Sequence, residues 1–115
     1  MATARIARGR KSQVVLAEYW RPHWPLAKAV FGSMPGRDIQ NMRGLAPEVK
    51  ATSDNPILGG LRQAANYSHG DLPFVVWRPN GYGEQSVEEW VMAFTVRDGT
   101  GLLLRAGYGD DDSSS

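Results

Sequence analysis

Apolar positions recur at helical spacing from Gly9 to about Trp20, where Val15, Leu16, Tyr19 and Trp20, with His23 beyond them, share one face. Pro22 biases Arg21 away from helical backbone and closes this first helix. Short strands are predicted near Ala29 to Phe31, in "GRDIQ" and in "LAPEVKA". "SDNPILGGLRQAANY" offers Asp54 or Asn55 as N-cap, Pro56 at the first helical position, and Ile57, Leu58, Leu61 and Ala65 on one face. A second helix follows, even though Gly59 and Gly60 each cost it roughly 1 kcal/mol relative to alanine. "LPFVVW" is a continuous apolar run, the pattern of a strand buried on both faces. In "EEWVMAFTV" the alternation of Trp90, Met92, Phe94 and Val96 predicts a strand with one heavy face, and Asp98 can cap a last helix that runs through Leu102, Leu103 and Leu104 to near Gly107. The order α-β-β-β-α-β-β-α predicts an α/β domain, a mixed central sheet of about five strands flanked by helices.

Composition narrows the setting. A chain of 115 residues builds one core, so residues 9–108 are expected to form the domain, with a basic, weakly ordered segment over 1–8 and an acidic, disordered tail over 109–115. No apolar run is long enough to span a membrane, and the start lacks the apolar stretch of a secretory signal, so a soluble, cytoplasmic protein is expected. The absence of cysteine excludes a disulfide framework and thiolate metal sites. Net charge is +1, but Asp110, Asp111 and Asp112 are concentrated in the tail while Arg5, Arg8, Arg10 and Lys11 crowd the first eleven residues. Such a basic surface suits a polyanionic partner, with solvated tails as the plain alternative.

The candidate chemistry lies in "GRDIQNMRGLAPEVKA". If Met42, Arg43 and Gly44 form a three-residue hairpin loop with Gly44 in the left-handed region, the ladder pairs 41 with 45, 40 with 46, 39 with 47 and 38 with 48. Asp38 then faces Glu48 with Cβ atoms ~5 Å apart, and Lys50 shares the Glu48 face ~7 Å along. Two convergent carboxylates beside an ammonium suit Mg²⁺, with the Val49 main-chain carbonyl as a further ligand and the lysine acting on a water. Phosphodiester hydrolysis is the chemistry such a site serves. Solvated hairpin charges are the competing reading, and Pro47 argues against a regular ladder because it cannot donate. His23 and His69 have no metal-ligand spacing, and "PNGYG" reads as a turn in which Arg78 and Tyr82 could touch DNA.

"RGRKSQ", "SMPGRDI", "EVKA", "LRQA" and "VVWRPNGYG", in that order over roughly residues 8–108, resemble the PD-(D/E)XK nuclease superfamily, and in detail the Holliday junction resolvases of archaea and resolvase-like proteins of actinobacteria and their phages. The resemblance implies a restriction-endonuclease-like fold and a homodimeric endonuclease that resolves four-way DNA junctions with Mg²⁺, or Mn²⁺ in its place. For a phage-encoded chain the setting would be the bacterial host cytoplasm. It implies that Asp38 and Glu48 bind metal, that Lys50 serves the nucleophilic water, and that Gln63 reaches the scissile phosphate or a metal water. Ser33 matches a loop serine near the cleft, and Arg8, Arg10, Lys11 and Arg37 are the expected DNA contacts with it. One departure is Gln13, which stands where the archaeal proteins carry a glutamate; Glu18 is the candidate replacement acid. A repair or restriction nuclease of the same superfamily, and a non-catalytic DNA-binding protein, are the alternatives.

Overall fold

The computed structural model describes residues 2–31 and 36–110. It is mixed α/β, and the eight expected elements occur in the expected order with a 3₁₀ segment inserted at Glu84–Glu89. The helix α1 covers Ala2–Trp20, so residues 2–8 are continuous with the first helix instead of forming a separate segment. Strands β1 (Lys28–Ala29) and β2 (Ile39–Gln40) pair with each other, antiparallel, as a two-stranded sheet. A second sheet has the order β3-β4-β5, from Leu45–Lys50, Leu72–Trp77 and Val91–Ala93. The described residues thus form two small sheets, where the sequence suggests one sheet of about five strands.

Strands β3 and β4 are parallel, from Leu45↔Leu72 to Lys50↔Trp77, and parallel neighbours need a crossover, here through α2 (Ile57–Asn66). Asn55 Oδ1 accepts from the Ile57 N–H at 3.0 Å, while Pro56 occupies the cap itself, one place earlier than its predicted position. β4 is the central strand, and Phe74, Val75 and Val76 are buried as the unbroken apolar run predicts. Phe74 and Val76 face a core with Leu16, Ala17, Trp20, Ile39, Met42 and Trp90, into which α1 packs. Val75 faces the opposite side, under α2. A Cβ on Gly60 would come within 2.8 Å of Val75 Cγ2, so only glycine lets the α2 backbone lie this close to the sheet.

The predicted β2–β3 ladder is not formed. Leu45 N–H turns back to Met42 O at 3.0 Å, Asn41 and Gly44 take positive φ (68° and 79°), and β2 pairs with β1 instead. Gly44 is left-handed as expected, but Pro47 brings no donor to the outer edge of β3, where the ladder would have had to form. The strand around Trp90 is also shorter than its alternation suggests, because the 3₁₀ segment takes Glu84–Glu89 and leaves Met92 about half exposed. The last helix, α3 (Val96–Arg105), is capped by Thr95, whose Oγ1 accepts from the Asp98 N–H at 3.1 Å; Asp98 sits in its first turn and is not the cap.

Candidate active site

Glu48 and Lys50 alternate with Val49 along β3, so both point to the α2 side of the sheet while Val49 packs toward the core. Gly60 allows α2 to approach that side, and Gln63, one turn on, meets Lys50: Nζ donates to Gln63 Oε1 at 2.8 Å. The same Nζ lies 3.2 Å from Glu48 Oε2. Asp38 enters from just before β2, and its Oδ2 accepts the Val49 N–H at 2.7 Å. A carboxylate therefore fills the place of a missing ladder partner, which sets Asp38 beside Glu48, close enough for their charges to act on each other, by a different route from the predicted cross-strand pair.

Glu48 is almost wholly buried, and burial, with the adjacent Asp38 carboxylate adding to it, pushes its carboxyl up to about 7. Lys50 opposes the shift without cancelling it. Burial also raises Asp38, against the Val49 N–H, the Glu48 carboxyl and the Lys50 ammonium, each of which pulls it down. Both carboxyls are thus pushed up by burial, and ionising the two together at this point calls for more positive charge than Lys50 alone brings.

That donor set fits a hard divalent cation. Within a strand a residue's N–H and C=O point to the same edge, so the Val49 carbonyl lies on the Asp38 side, away from β4. Two carboxylates and a carbonyl supply oxygen ligands and leave room for waters, as Mg²⁺ prefers. Among the described residues no group of three or more His, Cys, Asp or Glu side chains is gathered in one place, so at most two protein carboxylates would serve.

The remaining candidates separate. Gln13 Nε2 donates to Asp38 O (3.1 Å) and Val30 O (3.0 Å), which fastens the Asp38 backbone to α1. Glu18 is exposed and, five residues on, lies about 140° around the helix from Gln13. Arg10 is exposed beside the site, its guanidinium 5.8 Å from the Phe31 ring centroid, and both line a cleft of about 460 Å³ that includes Gln13 and Asp38. Lys11 is exposed, 4.0 Å from Glu84. Arg8 donates to Pro79 O at 3.0 Å and clamps α1 to the segment after β4. Arg37 donates to Tyr67 O, Leu45 O and Ser68 O and pairs with Asp71 at 2.7 Å, so its guanidinium ties the N-terminal end of β3 to the turn after α2. Arg78 is buried over Trp90 and hydrogen-bonded to Ser12 Oγ and Tyr82 O, away from the surface role its turn suggests. Ser33 lies outside the described residues.

Gln13 as a backbone clasp and Phe31 as a wall of the cleft are not legible in the residue spacing. The first depends on α1 packing against β1 and β2, and the second on an aromatic residue left exposed just past β1. Compared with models of known protein families, with curated proteins and with solved structures, the chain matches none.

Proposed function

We propose that this chain is a metal-dependent DNA endonuclease of restriction-endonuclease-like fold, acting on four-way junctions as a homodimer. The observation that carries the reading is the meeting of Asp38, Glu48, Lys50 and Gln63, drawn from a loop, a strand and a helix, in one cluster. Asp38, Glu48 and the Val49 carbonyl would hold Mg²⁺, or Mn²⁺ in its place; such an ion polarises a phosphoryl oxygen and acidifies a water. Asp38 is oriented for this by the Val49 N–H, and Glu48 becomes a full acceptor once its proton leaves. Lys50, held by Gln63 Oε1, stands where it can position the attacking water and neutralise charge on the phosphate. Gln63 sets the direction of the ammonium.

The substrate and the dimer rest on the resemblance of the sequence motifs, with one structural support. β5 is an edge strand, and Val91 and Met92 on it, with Val96, Leu103 and Leu104 on α3, are 37–86% exposed; apolar positions of this kind are what a seam between two copies would cover. Two sites related by a two-fold axis engage both arms of a junction at once, which makes the second contact intramolecular. Junction affinity should therefore exceed that for a matched linear duplex by on the order of 10², with no base read. Titrating both at one salt concentration and mapping nicks in Mg²⁺ tests this. Paired nicks on opposed strands are the expected pattern; equal affinities with unpaired nicks would move the reading to a repair or restriction substrate.

A further inference from the structure

A second cluster of charge lies beside the catalytic one. A cavity of about 360 Å³ is lined by Arg5, Arg8, Thr52, Ser53 and Asn80 among others. Its floor is the chain that leaves β3: Thr52 follows Lys50 by two residues, and Trp77 Nε1 pins Thr52 O at 3.0 Å. Its wall is the N-terminal part of α1, held by Arg8 to Pro79 O.

Arg5 and Arg8, the arginines that line this cavity, form no ion pair among the described residues. Among the described residues the ion pairs involve Lys11, Arg37, Lys50 and Arg97, and none involves Arg5, Arg8 or Arg78. Arg8 Nε is buried without a hydrogen-bond partner although the same guanidinium reaches two carbonyls. Arg78 is buried next to Arg8, outside the cavity lining, and burial and the Arg8 charge hold its guanidinium below its ordinary value while Glu84 opposes them, so the charges that face the cavity are those of Arg5 and Arg8. Asp54 also borders the cavity, exposed to solvent, and leaves Arg5 and Arg8 in excess. Unneutralised guanidinium groups around hydroxyl and amide donors suit one ligand class, a phosphate.

We infer that this cavity binds a phosphodiester of the nucleic-acid strand being cut, a second phosphate site flanking the catalytic cluster; the inference rests on the nuclease reading for the identity of the strand. Thr52 and Asp54 lie two and four residues from Lys50, at most ~7 and ~14 Å along the chain. A strand that advances ~3.4 Å of helix axis per nucleotide places phosphates up to about four positions from the scissile one within that reach. Arg5 is exposed, lines the cavity and, among the described residues, takes part in none of the side-chain hydrogen bonds or ion pairs of the fold, so its substitution disturbs the least structure.

The test uses the full chain, a synthetic duplex or junction, and chelator in place of metal, so that binding is read apart from cleavage. Arg5→Gln should weaken binding and lower the slope of log K against log salt by about 0.9, one phosphate contact. Asp54→Asn should tighten binding, a gain that misfolding cannot imitate. A single neutral methylphosphonate, moved along the cut strand, should reduce wild-type affinity at a position within about four nucleotides of the nick, and Arg5→Gln should erase that dependence. Unchanged affinity and slope in Arg5→Gln, or a wild-type chain that binds no DNA, would overturn the site. Normal binding effects in a chain that nicks nothing in Mg²⁺ would retain the phosphate site and remove the nuclease reading; normal nicking with no effect of either substitution would do the reverse.

Discussion

Lys50→Ala is expected to slow nicking by roughly 10²–10⁴-fold at saturating Mg²⁺, the usual range for removing a group that moves a proton or stabilises charge in a transition state. The lysine is well placed for that role, with Nζ fixed by Gln63 Oε1 at 2.8 Å and by Glu48 Oε2 at 3.2 Å. Its removal has a second consequence. The ammonium opposes the rise of the Glu48 carboxyl, so without it Glu48 holds its proton to higher pH and metal binding needs a more alkaline buffer. Rates measured against pH and Mg²⁺ separate the two effects: raising pH restores metal binding, and the rate remains low. A loss of rate that only follows a loss of folded protein, read from a thermal melt of the same sample, would remove the catalytic assignment.

Glu48→Gln should make the metal-free protein more stable above neutral pH while it abolishes cleavage. Burial and Asp38 raise the Glu48 carboxyl from 4.5 to about 7, so the folded chain holds a proton that the unfolded chain has already released. The contribution of Glu48 to stability is therefore fully present below about 4.5, is lost as pH rises through about 7, and stays lost above it. At about 1.4 kcal/mol per pK unit the ionised glutamate costs on the order of 3 kcal/mol at pH 8. A neutral glutamine escapes that cost, and for a domain of this size the melting temperature should rise by roughly 10 °C relative to wild type at pH 8, with no gain at pH 4. Mg²⁺, by binding the folded wild type alone, should close most of the gap. Melting curves of both proteins at pH 4, 6 and 8, with and without Mg²⁺, provide the check; a variant less stable than wild type at every pH would mean that Glu48 is a structural acid paired to Lys50.

The order of elements was legible because each carries a local signal: the apolar run of β4, Pro56 at the start of α2, and the leucines of α3. Pairing was less so. Whether β2 joins β1 or β3 depends on where Asn41 turns the chain and on the donor that Pro47 lacks, and the nearness of Asp38 to Glu48 survives because the Val49 N–H donates to the Asp38 carboxylate in place of a strand. The early start of α1 was hidden because its first two turns carry one large apolar residue, Ile6, among alanines and arginines and so show no apolar stripe; Arg8 anchors them to a carbonyl 71 residues away, a tertiary contact that no local pattern carries. Arg37 reads as a cation next to an acid, and only the turn after α2 shows why it is there. Thr95 and Asp98 are both good capping residues three apart, and the choice fell to the one whose backbone is extended.

The account turns on whether Asp38 and Glu48 share a divalent ion. Crystals of the wild-type chain soaked in Mn²⁺ and measured at the manganese absorption edge test that directly. The predicted result is an anomalous peak between the two carboxyl groups, bordered by the Val49 carbonyl and lost in Asp38→Asn. Diffraction from a well-occupied soak with no peak there, or with the ion held at another place on the chain, would contradict it.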